Sequence, residues 1–292
     1  YLTKIGWFNN STSDLFAKLV TNISLPPLMI WTVTNSFGKE MILGSSKVLI
    51  IAFASIMICF LLSFVIAKLV ILKNRQGAFQ LMFSMSNTIF IGLPVNLALF
   101  GEKSIPYALL YYVANTTLFW TIGVFLLAKD GGADNKEIIS LKTLKTIFSP
   151  PLISFFIGII IILTGIKLPT FILDTCKYFG NLTTPLSLMF LGITIHALDF
   201  KKINLSFDLV LLLIGRFIVS PLLIFALAYF LPIPSLMFKV FVIQAAMPIM
   251  AQAAVMAKTY NADFEYATIM ISATTLASLL VIPILMIILT GY

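Results

Sequence analysis

The residues best suited to chemistry lie in the stretch Gln80–Asn96, where Ser84, Ser86, Asn87 and Thr88 precede Gly92 and Pro94 inside an otherwise apolar run. A proline within a helix lacks the amide hydrogen and clashes with the preceding turn, at a cost of about 3 kcal/mol. In hydrocarbon the freed backbone groups must be met by protein or by a water-lined cavity. Hydroxyl and carboxamide side chains one to two turns upstream can do this. A second stretch has the same character, with Gln244, Met247-Pro248 and Gln252 inside the apolar run 236–257. Two helices broken near mid-membrane, at Pro94 and at Pro248, expose half-helix N-termini of about +0.5 charge each, suited to a carboxylate. Asn87, Thr88, Gly92, Pro94, Gln244, Pro248 and Gln252 are therefore candidate residues of a substrate site for a small organic anion. The alternative is a pair of ordinary proline kinks sealed by hydrogen-bonding side chains.

A further pair of motifs supplies more candidates. Ser24 and Pro26, in Asn22-Ile-Ser24-Leu-Pro26, resemble Asn181-Leu-Thr183-Thr-Pro185. Their prolines either bend helices that line a substrate path or bend scaffold helices. Arg216 is the deepest charge, and an arginine in mid-membrane costs about 3 kcal/mol or more. It either pairs with Asp208, eight residues earlier, or faces the cavity as support and attracts anions. Thr116/Thr117 and Thr274/Thr275 read as helix–helix contacts. Asp130-Gly-Gly-Ala-Asp134 reads as linker. The single histidine, His196, sits at a span end, and the two cysteines, Cys59 and Cys176, imply neither a disulfide framework nor a metal site. No H-E-x-x-H, G-x-S-x-G or P-loop occurs. No enzyme, catalytic residue, cofactor or metal is expected.

The elements that hold these residues follow from composition. The chain has 292 residues, 60% hydrophobic and 10% charged, with mean hydropathy +1.06. Soluble domains carry about 25% charged residues, so soluble enzymes, nucleic-acid-binding domains and disordered chains are excluded. Apolar runs of about the 20 residues that cross a bilayer fall near 12–34, 45–72, 77–99, 105–128, 143–164, 170–196, 205–230, 236–257 and 262–289. Strands of alternating polarity are missing, so the fold expected is an all-α polytopic membrane protein in the lipid bilayer. Eleven Lys and Arg fall in the loops of one side (Lys4, Lys68, Lys73, Arg75, Lys129, Lys136, Lys142, Lys145, Lys201, Lys202, Lys258) and five on the other (Lys39, Lys103, Lys167, Lys177, Lys239). The positive-inside rule puts the first set, with Tyr1, in the cytoplasm and Tyr292 outside. This bias accounts for the net charge of +8 without a nucleic acid.

The chain repeats. Asn22–Pro26 and Asn181–Pro185 are offset by 159, Thr116-Thr117-Leu118 and Thr274-Thr275-Leu276 by 158, and Pro94 and Pro248 by 154. Three matches in one order indicate a duplication. Shifting 143–164 back by 159 places its counterpart before Tyr1, so the intact protein is expected to have ten helices, five per half, with the first largely missing from this chain. An odd number of helices per repeat inverts the second half, and inverted repeats with broken helices characterise secondary transporters.

Asn87-Thr-Ile-Phe-Ile-Gly92-Leu-Pro94 with Leu99-Phe100-Gly101, Gln244-Ala-Ala-Met-Pro248, and Ala257-Lys258-x-Tyr260-Asn261 resemble the crossover motifs of the auxin efflux carrier family. The C-terminal stretch with Pro283 and the Leu25-Pro26 pair are similar too, so the resemblance spans nearly the whole chain. It implies a 5+5 inverted repeat with a scaffold domain (1–35 and 143–199), a transport domain (45–128 and 205–292) and a cytoplasmic linker at 129–142. It also implies a homodimer, elevator-type movement, and a substrate site at Asn87, Pro94 and Pro248 with Gln244 nearby. Ile249-Met250 replace the polar pair of plant carriers and the linker is short, so the likeness is to microbial members that carry organic acids such as malate or malonate, in a bacterial plasma membrane. No carboxylate sits clearly mid-span, which favours uniport. Two alternatives remain: a sodium- or proton-coupled organic-acid symporter or antiporter on the related bile-acid-carrier fold, and a non-transporting sensor that binds a lipid or metabolite.

Overall fold

A computed structural model of the chain describes residues 2–37, 46–132, 149–197 and 205–290. Residues 133–142 of the expected linker, and Lys39, Lys136, Lys142, Lys145, Lys201 and Lys202 of the loop-charge count, lie outside the described residues. In chain order the α-helices are α1 (Asn10–Leu19), α2 (Leu25–Ser36), α3 (Ser46–Val70), α4 (Gln76–Ser84), α5 (Leu93–Phe100), α6 (Ile105–Leu118), α7 (Val124–Asp130) and α8 (Pro150–Thr164), followed by α9 (Thr170–Asn181), α10 (Thr183–His196), α11 (Phe207–Ile214), α12 (Ser220–Phe230), α13 (Ser235–Ala245), α14 (Gln252–Thr259) and α15 (Phe264–Thr290). No β-strand longer than one bridge occurs among the described residues.

Wide π-type turns at Val20–Ser24, Thr88–Gly92, Phe119–Gly123 and Gly215–Val219 join several of these helices end to end. Three of the four lead directly into a proline: Pro26 in α2, Pro94 in α5 and Pro221 in α12. Proline cannot donate to the carbonyl four residues back, so the turn before it widens while the chain stays helical. Continuous helical stretches result that are long and apolar enough to cross a membrane: Ser11–Ser36, Leu49–Val70, Glu102–Asp130, Thr170–His196, Phe207–Phe230 and Phe264–Leu289. Thr88–Phe100, Pro150–Thr164 and Ser235–Ala245 are shorter apolar helices. Two of the nine expected spans, 77–99 and 236–257, are thus divided into halves. The expected span at 143–164 is described from Ser149 onward.

The chain forms two compact units, and their boundaries differ from the scaffold and transport groups expected above. The first comprises Tyr1–Lys47, Ile89–Leu109 and Phe148–Leu198. Within it α2 packs on α8 and α9, and α10 packs on α1 and α5. Glycines set the closest approaches: a Cβ at Gly158 would fall 2.9 Å from Val33 Cβ, and one at Gly180 would fall 3.1 Å from the Leu28 backbone. Small residues let helices meet where lipid offers no hydrophobic drive to association. Ser24 and Thr183, matched at an offset of 159, touch each other, with the Thr183 hydroxyl donating to Ser24 Oγ at 3.1 Å.

The second unit comprises Val48–Thr88, Leu110–Ile147 and Asp199–Tyr292. Two of its carboxylates sit at helix ends. Asp263 caps α15 by accepting from Tyr266 N at 2.9 Å, and it pairs with Arg75 at 2.8 Å. Asp130, expected to be mere linker, caps α4 instead: its two carboxylate oxygens accept from Gly77 N (2.9 Å) and Ala78 N (2.7 Å). Gly77 lies so close to the Leu126 carbonyl that a Cβ would overlap it, as would one at Gly131 with Tyr260 O. Losing a cap costs about 0.5–2 kcal/mol. Asp130→Ala should therefore lower the thermal melting point of the detergent-purified protein, measured by fluorescence-detected size exclusion, whereas alanine at exposed Asp14 should leave it unchanged.

Candidate functional site

The second unit is built around two places where helices stop and restart. α13 ends at Ala245, and Ala246–Ala251 form no regular helix before α14 begins at Gln252. The sequence explains this break. The residue before a proline is driven out of the helical region, so Met247 cannot continue the helix into Pro248. α4 ends at Ser84, and Met85–Asn87 are extended before the wide turn at Thr88. This break was expected at Pro94, where the structure has an uninterrupted helix. Pro94 stands in the first turn of α5, directly after the wide turn Thr88–Gly92 that accommodates its missing N–H. The counterpart of Met247–Ile249 is thus Met85–Asn87, seven residues before Pro94.

The two interruptions face each other. Ser86 and Ile249 form an antiparallel bridge, and Asn87 N donates to Pro248 O at 2.8 Å. Gln244 Nε2 donates to Thr88 O at 3.2 Å. Two further side chains complete the pairing. The Asn115 carboxamide accepts from Ser86 N at 3.1 Å and donates to Ser86 O at 3.0 Å, as a neighbouring strand would. Thr274 Oγ1 accepts from Ile249 N at 3.3 Å. Ser86, Asn115, Gln244 and Thr274 are wholly buried, and Asn87, Thr88 and Pro248 are buried with them. Asn87, Thr88, Gln244 and Pro248 are therefore brought together. Gly92, Pro94, Ser24 and Pro26 belong to the other unit; Gly92 O accepts from Asn96 Nδ2 at 2.7 Å. Gln252 is the first residue of α14 and is partly exposed.

Arg216 does not pair with Asp208. It lies in the wide turn Gly215–Val219 and is 1% exposed. Its Nε and Nη2 donate to Met247 O at 3.1 and 2.9 Å, and Nη2 also donates to Ala245 O at 2.6 Å. Nη1 donates to Phe83 O at 3.2 Å and to Ser220 Oγ at 3.4 Å. The guanidinium thus closes the C-terminal ends of α4 and α13, where helical carbonyls lack partners and the dipole is negative. Gly215 makes the approach possible, because any Cβ there would overlap the Phe83 ring.

Asn115, Ser86 and Asp130 were not among the expected site residues. Asn115 is one residue from the Thr116-Thr117 pair that marked the repeat, and Asn115 and Thr274 do equivalent work at an offset of 159. That correspondence was the signal available in the sequence.

Known proteins resemble the chain along nearly its whole length. A family model described as Membrane transport protein matches residues 1–286. The chain is 29% identical over 97% of its length to an uncharacterized transporter of Methanocaldococcus jannaschii, covering 92% of it. An uncharacterized transporter of Methanothermobacter thermautotrophicus is also 29% identical, with the same coverage. The uncharacterized transporter YfdV of Escherichia coli is 22% identical over 95% of this chain, which covers 88% of YfdV. With six helices long and apolar enough to span a bilayer among the described residues and a family match along nearly its whole length, the chain belongs to the membrane transport protein family, that of the auxin efflux carriers, and is an integral membrane protein.

Proposed function

We propose that the protein is a secondary carrier for small organic anions such as mono- and dicarboxylates, and that it works by elevator-type alternating access. The observation that carries this reading is the paired interruption itself, with Asn87 N–H donating to Pro248 O between two helices that have both unwound. Irregular backbone at membrane depth persists where it is buried in protein or lines a cavity, and discontinuous helices of this kind form transporter substrate sites. On this reading the intact protein has ten helices in two inverted five-helix repeats and works as a homodimer. One domain carries the substrate against a scaffold formed by 1–35 and 143–199. The helices restarting at Thr88 and Gln252 offer N-terminal amides to a carboxylate. Asn87, Thr88, Gln244, Pro248 and Gln252 contribute to the site from the second unit, and Gly92, Pro94, Ser24 and Pro26 are candidate residues of the first. Transport is uniport of an anion and moves charge.

Purified protein should gain thermal stability with a subset of small carboxylates. Proteoliposomes should accumulate the same compounds when an inside-positive potential is imposed in sodium-free buffer. Stabilisation without flux would mark a sensor, and flux that requires sodium would mark a coupled symporter.

Two asparagines separate binding from scaffolding. Asn115→Ala removes the partner of the buried Ser86 N–H, at about 1–3 kcal/mol, and leaves the Ser86 carbonyl with Thr88 N as its donor, so it should lower the melting point. Asn87→Ala should weaken carboxylate binding about 5- to 150-fold, corresponding to one lost hydrogen bond. Asn87→Leu should weaken it further by filling the space. Titration of each variant by thermal shift checks both; a normal affinity in Asn87→Ala removes Asn87 from the site.

A further inference from the structure

Arg216 is the one charged side chain fully buried among the described residues. No described carboxylate pairs with it; the titratable groups close enough to act on it are the Tyr111 phenol and the Cys59 thiol. A buried cation without a counter-anion is strongly disfavoured unless its hydrogen bonds and the local field compensate it. Here each guanidinium nitrogen donates, to Phe83 O, Ala245 O, Met247 O and Ser220 Oγ. Two helix C-termini contribute about −0.5 charge each, together about one negative charge. The guanidinium supplies the matching positive charge.

Three carbonyl oxygens at two half-helix C-termini, with the Ser220 hydroxyl beside them, make a cation-binding arrangement. Unwound carbonyls and helix C-terminal ends are the groups that hold alkali cations in transporters with broken helices. We propose that Arg216 is a resident cation: its guanidinium occupies a carbonyl site that would otherwise take a monovalent metal ion, and it fixes the crossover without one. Arg216 thus acts as a positioning residue. Through Phe83 O and Met247 O it holds the chain just before Ser86-Asn87 and Pro248-Ile249, where the two interruptions pair. The inference deepens the carrier reading by giving its independence of sodium a structural origin. It rests on that reading for its role in transport, and its test needs no substrate.

The experiment compares the melting points of purified wild type and Arg216→Ala in choline, sodium and potassium chloride at equal ionic strength, with and without millimolar ethylguanidinium. Wild type should melt at the same temperature in all of them. Arg216→Ala should melt lower in choline, recover part of the loss in sodium or potassium, and recover more with ethylguanidinium. Arg216→Lys and Arg216→Met provide the second comparison, decisive if the alanine variant does not fold. The lysine variant, which keeps the charge, should retain more of the wild-type stability than the methionine variant, which keeps only the bulk. Equal stability of Arg216→Met and wild type, no advantage of lysine over methionine, or an Arg216→Ala protein indifferent to every cation would overturn the proposal. A failed carboxylate screen would refute the substrate reading and leave this result standing.

Discussion

A single guanidinium on the carbonyl ends of two interrupted helices is the constraint around which the second unit is organised. Stopping a helix inside a membrane strands carbonyls that water cannot reach, and stopping two helices side by side doubles the deficit. Arg216 meets Phe83 O, Ala245 O and Met247 O together. The requirement runs outward from there. Position 215 must be glycine so that the Phe83 ring can lie against the backbone. The turn containing Arg216 is widened, with Pro221 just beyond it in the first turn of α12.

The remaining ends of the interrupted helices are handled by the same economy of charge and hydrogen bonds. The N-terminus of α4 receives the Asp130 carboxylate and its C-terminus the Arg216 guanidinium, so this nine-residue helix has its dipole matched at both ends. Side chains from continuous helices replace the missing backbone partners between the halves, with Asn115 bonding Ser86 and Thr274 bonding Ile249. The unwound segments are therefore hydrogen-bonded without being helical, as the proposed site requires of segments that present backbone groups to a ligand.

Much of this was legible in the sequence, and the failures have physical causes. Composition and run length gave a polytopic helical protein, and the crossover motifs gave the family. The break at Pro248 could be read because the residue before a proline is excluded from helix. The break at Met85–Asn87 could not, because nothing local forces it: Asn115, almost thirty residues away, makes the extended conformation favourable. The proline that drew attention, Pro94, had been read with the rule for helix interiors, although it stands in a first turn. Arg216 was read either as paired with Asp208 or as facing the cavity, because sequence lists charged side chains and not the partial charges of backbone ends. Asp130 was assigned to the linker with its glycine neighbours, of which Gly131 lies against the Tyr260 carbonyl and Gly132 takes a positive φ.

The central claim is that the crossover is a fixed, paired structure in the resting protein, held by Arg216. Hydrogen–deuterium exchange of the detergent-purified protein in sodium-free buffer tests it most directly, through peptides covering Phe83–Thr88 and Ala245–Met250. The account predicts slow exchange of both peptides in the wild type, although neither segment is continuous helix, and fast exchange of both together in Arg216→Met while α15 stays protected. Fast exchange in the wild type, or protection that persists unchanged in Arg216→Met, would contradict it.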